Sequence, residues 1–173
     1  MKSLTIRRAT PSDVDTVFRL RLLLQEHVEG SNHLVWRITE RGKRLLKRET
    51  RKDLSNGAIR VLLAEAGGEV VGFAQGEVAS RSDYSPRTVG HISLLFVVKR
   101  FRRRGIGRHL MKELHKFYRS KKARHLTVRY IVGNKEAEGF WTQLGFEPII
   151  STNAIHLKEL ESRISAFARR GSP

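Results

Sequence analysis

A short, very basic turn contains the residues of this sequence that are best suited to chemistry. It lies between an apolar segment of strand length and a pattern of helical spacing, and it reads Arg102-Arg103-Arg104-Gly105-Ile106-Gly107-Arg108. Glycine lets the backbone approach a ligand closely, and a helix that begins after a strand aims unpaired N–H groups at one point. Such a helix N-terminus binds phosphate, and arginine adds positive charge. The turn therefore predicts a phosphate-binding site.

Two common phosphate-binding loops differ from this turn. A Walker A loop requires Gly-Lys-Ser or Gly-Lys-Thr after its first glycine and four further residues, and no such run occurs in the sequence. A dinucleotide-binding fingerprint requires a third glycine at position 110, which is Leu110. A plain surface turn, using glycine and arginine for shape and solubility, is also compatible with this motif alone.

A second motif follows an apolar, strand-like run over residues 126–132. It reads Asn134-x-x-Ala137-x-x-Phe140-Trp141-x-x-Leu144-Gly145-Phe146. Asn134 is suited to capping a helix, and the acidic residues Glu136 and Glu138 suit the positive end of the helix dipole. The motif therefore predicts a helix that begins after Asn134 and ends near Leu144.

Together, the two motifs resemble those of the GNAT family of acetyl-CoA-dependent N-acetyltransferases. The first matches that family's Arg/Gln-x-x-Gly-x-Gly/Ala pyrophosphate turn, and the second matches its Asn-x-x-Ala-x-x-aromatic-x-x-x-Gly-Phe helix. The close match covers residues 89–150. The resemblance implies that an acetyl group passes from acetyl-CoA to the primary amine of a peptide, protein or small metabolite, by direct attack in a ternary complex.

The same resemblance implies which residues bind the cofactor. Backbone N–H groups of the turn would bind the pyrophosphate, while the side chains of Arg103 and Arg104 either add charge or point to water. Asn134 is either a helix cap alone or a cap that also contacts the cofactor. The cofactor-binding residues predicted in this way are Leu95, Phe96, Val97, Arg102, Arg103, Arg104, Gly105, Ile106, Gly107, Arg108, Asn134 and Trp141.

Position 141 departs from the family pattern. Many members of the family have a tyrosine there, whose hydroxyl can protonate the departing thiolate. The indole N–H of Trp141 is not an acid at neutral pH, so that role cannot be carried over. Trp141 either packs on the cofactor or is a core aromatic residue beside Phe140.

Two residues are candidates for the general base that removes a proton from the acceptor ammonium. Histidine has a suitable ordinary pKa, which favours His91, and a desolvated Glu77 could act through water. Each is equally compatible with an ordinary surface position on a strand. The oxyanion of the reaction would be stabilised by backbone N–H donors along Phe96 and Val97.

The predicted elements give an α/β chain in three layers. A first strand near residue 4 is followed by helices to about residue 27 and over 35–54. Strands over 59–66 and 69–79 form a hairpin through Gly67 and Gly68. Further strands are predicted from about 89 and over 126–132, 146–150 and 154–160, with helices after Gly107 and over 135–144. The resemblance implies a GNAT fold of about seven strands and four helices, with a splayed fourth and fifth strand. The length of the chain predicts one domain, over 1–163, and the C-terminal sequence predicts a frayed tail over 164–173.

The charge of the chain is large and uneven. Lys and Arg number 34 against 17 Asp and Glu, for a net charge of +17. Coenzyme A accounts for part of this charge, and the rest is either a solvated cationic surface or a weak association with nucleic acid or ribosomes. The alternative function is therefore a catalytically weak or idle GNAT-like module that binds RNA or ribosomes.

Composition also bears on location, metals and acceptor. The sequence has no cysteine and its histidines lack metal-ligand spacing, so no metal is expected. It has neither a membrane-length apolar run nor a secretory apolar core, so no membrane association and a cytoplasmic location are expected. The resemblance adds a possible homodimer. A polycationic aminoglycoside needs an acidic cleft, so the excess of basic residues argues against one as the acceptor.

Overall fold

The computed structural model describes residues 3–32, 34, 37–83 and 85–170. Within them lie five strands, five α-helices and short 3-10 helices at Pro11–Asp13 and Lys99–Phe101. In chain order the strands and α-helices are β1 Leu4–Arg8, α1 Val14–Glu29, α2 Glu40–Ser55, β2 Ile59–Ala66, β3 Glu69–Ser80, β4 Thr88–Val97, α3 Ile106–Ser120, β5 His125–Val128, α4 Lys135–Gln143 and α5 Leu157–Arg170.

The strands form one mixed sheet in the order β1-β2-β3-β4-β5. β1 to β4 pair antiparallel, whereas β5 pairs parallel with β4. The predicted hairpin between β2 and β3 is confirmed. Gly67 and Gly68 have φ values of 62° and 81°, as a two-residue hairpin turn with two left-handed residues requires.

Helices cover both faces of the sheet. On one face, Phe73 of β3 and Phe96 of β4 share a buried cluster with Val17 and Leu20 of α1. Successive strand residues point to opposite faces, so Gly76 lies on the other one. There a Cβ added at Gly76 would meet the hydroxyl of Tyr118 at 2.2 Å, because α3 packs directly on the sheet. The three-layer α/β architecture predicted from the sequence is therefore present.

The expected count of seven strands and four helices is wrong. Residues 146–156, where one late strand and the start of another are predicted, form neither helix nor strand, and the chain then forms α5 to Arg170. Ile155 and Leu157 fit a strand, but Leu157, Leu160 and Ile164 also fit a helix. The ion pair between Glu159 and Arg163, one helical turn apart, favours the helix. α5 continues to Arg170. The frayed tail over 164–173 stays a prediction.

The boundaries of α2 and β5 also differ from the sequence prediction. α2 begins at Glu40 because the side chain of Thr39 accepts a hydrogen bond from the backbone N–H of Gly42 at 3.1 Å. Its predicted start at residue 35 lies outside the described residues. β5 ends at Val128, four residues before the predicted end of that strand.

The chain divides into two compact units, Met1–Gly139 and Phe140–Pro173, with the boundary inside α4. The first unit contains the whole sheet with α1, α2 and α3, and the second contains the end of α4 and α5. A single domain over residues 1–163 stays a prediction. Over the ranges that the structure describes, none of the helices has the length and hydropathy needed to span a membrane.

Candidate functional site

The turn between β4 and α3 has the backbone geometry of an anion site. Gly105 is the N-cap of α3 with a φ of 77°, and Arg103 is also left-handed with a φ of 59°. The helix ladder begins with the bond from the His109 N–H to the Gly105 carbonyl at 3.1 Å. The N–H groups of Ile106 and Gly107 therefore have no partner inside the helix. A left-handed turn at a helix N-terminus is a concave, positively polarised site for an anion.

Glycine at position 105 is required by backbone conformation and not by lack of space. A Cβ added there would come no closer than 3.8 Å to the ring of His109. At a φ of 77°, however, any side chain is strained. The sequence motif thus reflects a local conformational demand, which is why it could be recognised from the sequence.

The side chain of Arg102 is anchored in the protein. Its Nε donates a hydrogen bond to the carbonyl of Val97 at 2.9 Å, and its guanidinium pairs with the carboxylate of Glu136 on α4. The guanidinium also lies 5.6 Å from the centre of the Phe96 ring, and only 19% of the side chain is exposed. Arg102 therefore holds the end of β4, the turn and the start of α4 together.

The other predicted turn residues contribute in different ways. Ile106 is buried at 3% exposure, so its backbone and not its side chain is available to a ligand. Arg103, Arg104 and Arg108 are exposed, and the guanidinium of Arg104 lies 5.5 Å from the ring centre of Phe101. Positive side chains thus surround the N-terminus of α3.

A cavity of about 360 Å³ lies beside this turn, between α1 and the end of β4. Two of the predicted cofactor residues, Phe96 and Arg102, line it. The complete lining is Leu23, Glu26, His27, Phe96, Val98, Lys99 and Arg102. Its charged side chains are one acid and two bases, so the cavity is not an acidic cleft.

His27 belongs to the site although the sequence motifs give no reason to place it there. Its Nε2 lies 3.7 Å from a carboxylate oxygen of Glu136. Burial and the positive charge of Arg102 lower the pKa of His27, and Glu136 opposes that shift. The apolar face of α1 ends near this residue, but nothing in the local pattern predicts that α1 meets α4 here.

The end of β4 has an edge that β5 does not cover. β5 pairs with β4 only from Val89 to Ile92, whereas β4 continues to Val97. The N–H of Val98 donates to Val71 on β3 at 2.9 Å. Because strand residues alternate, the backbone groups of Leu95 and Val97 point away from β3, towards the edge without a described strand. The carbonyl of Val97 accepts from Arg102, which leaves its N–H for a ligand.

A β-bulge interrupts β4 at Ser93. Gln75 pairs with Leu94 and Gly76 with Ile92, so Ser93 has no opposite residue on β3. A bulge bends the strand and increases its twist. It lies directly after the last pair that β4 makes with β5, which accounts for the divergence of these strands. The sequence alone carries no signal for this position.

The two base candidates lie together, opposite each other on β3 and β4. Glu77 and His91 are register partners, and the Ser93 hydroxyl donates to Glu77 at 3.3 Å. His91 Nδ1 lies 3.0 Å from the hydroxyl of Thr127. Burial, with a smaller effect from Arg129, lowers the pKa of His91. Neither candidate lines the cavity, because five residues, or roughly 17 Å of strand, separate His91 from Phe96.

Asn134 is a helix cap, as its position in the motif predicts. It is buried at 9% exposure, and its side-chain oxygen accepts a hydrogen bond from the Ala137 N–H at 3.1 Å. This satisfies a backbone donor in the first turn of α4. A further contact of Asn134 with the cofactor stays a prediction.

Trp141 is packed among aromatic rings of its own unit. It is 4% exposed and makes edge contacts with Phe140 and Phe146, at 4.9 and 5.3 Å between ring centres. Gly145, with a φ of 83°, ends the helix, and the Phe146 N–H returns to the Trp141 carbonyl at 3.0 Å. These contacts match the core-aromatic alternative. Packing of Trp141 on the cofactor stays a prediction.

No cluster of three or more potential ligands from His, Asp and Glu that could hold a metal ion occurs in the described part of the chain. The expectation that the site works without a metal stays a prediction.

Comparison with known proteins identifies a family and related folds. The model of the acetyltransferase (GNAT) family matches residues 26–146. No protein of curated function matches the sequence. Among solved structures, a variant of a protein from Bacillus halodurans is similar with a TM-score of 0.78 and 20% identity, over 88% of this chain and 99% of that one.

Two further structures carry names that state an activity. The aminoglycoside N-acetyltransferase AAC(6')-Iy, in complex with CoA, has a TM-score of 0.71 and 18% identity, over 90% of this chain and 95% of its own. A ribosomal-protein-alanine N-acetyltransferase from Brucella melitensis has a TM-score of 0.65 and 15% identity, over 90% and 100%. At these identities the similarity shows the fold alone.

Proposed function

Since this chain belongs to the GNAT acetyltransferase family, we propose that it transfers an acetyl group from acetyl-CoA to a primary amine. The observation that carries the proposal is the left-handed turn at the N-terminus of α3. The free N–H groups of Ile106 and Gly107 and the surrounding arginines suit a pyrophosphate, and the uncovered edge of β4 suits the amide groups of pantetheine.

Acetyl-CoA supplies an activated thioester, and the protein positions and deprotonates the amine that attacks it. Holding the two reactants in one complex lowers the entropic part of the reaction barrier, as it does in any two-substrate reaction. Of the two oxyanion donors predicted, Phe96 directs its N–H towards β3 by the alternation of the strand. Val97 directs its N–H to the open edge and is therefore the better donor.

Of the two base candidates, His91 has the more suitable chemistry. Because roughly 17 Å of strand separates it from Phe96, it would act on an amine bound near Val97 only through intervening water. Its Nδ1 is engaged by Thr127, which leaves Nε2 to exchange a proton. The lowered pKa keeps the imidazole neutral at pH 7, as a base must be. Glu77 lies opposite and would act through water or stabilise the imidazolium that forms.

The acceptor is proposed to be an amine of a peptide, a protein or a small neutral-to-acidic metabolite. The chain carries 34 Lys and Arg against 17 Asp and Glu, which disfavours a polycation. One structural neighbour is named an aminoglycoside acetyltransferase and another a ribosomal-protein-alanine acetyltransferase. Because both share only the fold at low identity, both acceptor classes belong in the test.

The test is an amine panel with acetyl-CoA, followed by release of free thiol. The arms are N-terminal peptides, free amino acids, polyamines and aminoglycosides of the kanamycin type. Turnover of peptides or amino acids above the amine-free background is expected. Turnover of only the sugars or polyamines would contradict the acceptor assignment. No amine-dependent release of thiol with any arm of the panel, despite tight binding of acetyl-CoA, would favour the catalytically idle module instead.

A further inference from the structure

The exposed face of α2 carries a row of cations. Arg41, Arg44, Arg48 and Arg51 follow one another at spacings of three and four residues, which places them on one side of the helix. Lys52 extends the same side. All five side chains belong to exposed residues. We call this set the α2 cation stripe.

The α2 cation stripe differs from several neighbouring basic residues in making no direct ion pair, although Arg44 and Arg51 lie close enough to Glu40 and Asp15 to lower the pKa of each carboxyl. Lys43 pairs with Glu40 at 2.7 Å, Lys47 pairs with Asp15 of α1 at 2.6 Å, and Arg21 of α1 pairs with Asp53 at 3.2 Å. Among the described residues, no carboxylate forms an ion pair with any member of the stripe. The guanidinium and ammonium groups of the stripe therefore keep their hydrogen-bond donors available to a ligand from solution.

The opposite side of α2 packs on the protein. Leu54 is 6% exposed and Thr50 is 1% exposed, and the Thr50 hydroxyl accepts a hydrogen bond from Arg21 of α1 at 3.0 Å. Leu45, at 38%, is an exposed leucine of this helix. A helix that lies on a membrane inserts a broad apolar face, and one leucine does not form such a face. The exposed face of α2 is thus cationic and has no apolar area broad enough to insert into a membrane.

The length of the stripe suits an extended polyanion. From Arg41 to Arg51 the helix advances about 15 Å, at 1.5 Å per residue. Phosphates recur about every 3.4 Å along one strand of a duplex, so the stripe is long enough to face about four of them. Arginine, which supplies most of the stripe, binds phosphate through a planar fork of donors. An acidic patch on a folded protein has no such regular repeat.

We infer that the α2 cation stripe binds the phosphodiester backbone of a nucleic acid. The contact is electrostatic and does not read the bases, because the arginines meet phosphates and no groove-reading element accompanies them. This surface belongs to α2, apart from the β4–α3 turn proposed for acetyl-CoA. The inference therefore does not depend on the acetyltransferase activity.

The experiment measures binding of fluorescently labelled duplexes, one of RNA and one of DNA with the same sequence, to the full chain by anisotropy over a series of salt concentrations. The test variant is Arg44→Glu/Arg48→Glu, and Arg44→Gln/Arg48→Gln is a milder second version. The matched control is Lys112→Glu/Arg119→Glu, which changes the net charge equally on exposed residues of α3, on the other face of the sheet. Melting temperature and acetyl-CoA binding report folding of each variant.

Loss of at least about tenfold in affinity for the α2 variant, against about twofold or less for the α3 control, would support the inference. The slope of log affinity against log salt should be about −3.6 for a duplex of which four phosphates are met. Preference for RNA or for DNA identifies the natural source of the phosphates. Equal losses in the two variants, absence of binding, or equally tight α2-dependent binding to poly-glutamate or phosphatidylserine vesicles would overturn it.

Discussion

The guanidinium of Arg102 and the carboxylate of Glu136 form an ion pair at the mouth of the proposed phosphate site. Arg102 belongs to the basic turn and Glu136 to the first turn of α4, so the pair joins both sequence motifs. The carboxylate also lies near His27 of α1. A negative side chain thus lies beside a site that we propose for a multiply anionic ligand.

Replacing Glu136 should therefore strengthen cofactor binding. Glu136→Gln removes a like charge and releases the guanidinium of Arg102 for the phosphates. Because the Glu136 side chain is 54% exposed, solvent screens the effect, and we expect a gain of about threefold to tenfold in CoA affinity at low salt. Titration calorimetry with CoA measures it. Glu138→Gln, at an exposed residue two positions further along the same helix, is the matched control, and an equal gain in both variants would contradict the role of the pair.

Trp141 should not act as the acid that protonates the leaving thiolate. Its indole N–H is not acidic at neutral pH, and its ring packs against Phe140 and Phe146. Trp141→Phe should keep most of the turnover rate, with any loss in cofactor affinity or stability. Steady-state kinetics with acetyl-CoA as the varied substrate distinguishes a loss of turnover rate from a loss of cofactor affinity. A fall in turnover of about a thousandfold, near 4 kcal/mol, with unchanged binding would give the indole a direct role.

Replacing each base candidate with glutamine distinguishes the role of His91 from that of Glu77. His91→Gln should lower turnover by about a hundredfold or more, the range expected for losing a general base. Glu77→Gln should have a smaller effect, since it acts through water or through His91. The pH dependence of turnover is the second readout, because the acidic limb should disappear only in the His91 variant. Loss of that limb only in the Glu77 variant would reverse the assignment.

Stability should fall as the pH decreases below about 6.5. Burial lowers the pKa of both His27 and His91 from the usual 6.5. In that range the unfolded chain binds more protons than the folded one, so the free energy of unfolding rises with pH. Urea denaturation between pH 7 and pH 5 measures how the free energy of unfolding changes with pH. Glu29 and Glu40, whose pKa values are lowered from 4.5, contribute only at lower pH. His27→Gln/His91→Gln should flatten it, and an unchanged slope would contradict this origin.

The parts of the site that the sequence predicts are those determined over a few residues. The left-handed glycine at the start of α3 and the Asn134 cap of α4 both follow from local backbone demands. Left-handed Arg103 could not be predicted in the same way, because residues other than glycine rarely adopt that conformation.

The parts that the sequence does not predict depend on contacts between distant elements. The pair of Arg102 and Glu136 spans 34 residues, and the approach of His27 to that pair depends on how α1 packs on the sheet. The bulge at Ser93 is set by the register between β3 and β4. In the C-terminal part, the spacing of the apolar residues fits both a strand and a helix, and the sequence therefore predicts a strand where the structure has the start of α5. The cytoplasmic location and the homodimer stay predictions.

The most direct test of the acetyltransferase proposal compares the parent chain with Gly105→Glu for amine-dependent release of thiol from acetyl-CoA. The substitution places bulk and negative charge at the N-terminus of α3, whereas Lys121→Glu places the same charge at its far end. Melting temperatures confirm that each variant is folded. We predict amine-dependent release by the parent and by Lys121→Glu, and none by Gly105→Glu. Equal release by all three proteins, or no release by the parent with any amine of the panel, would contradict the proposal.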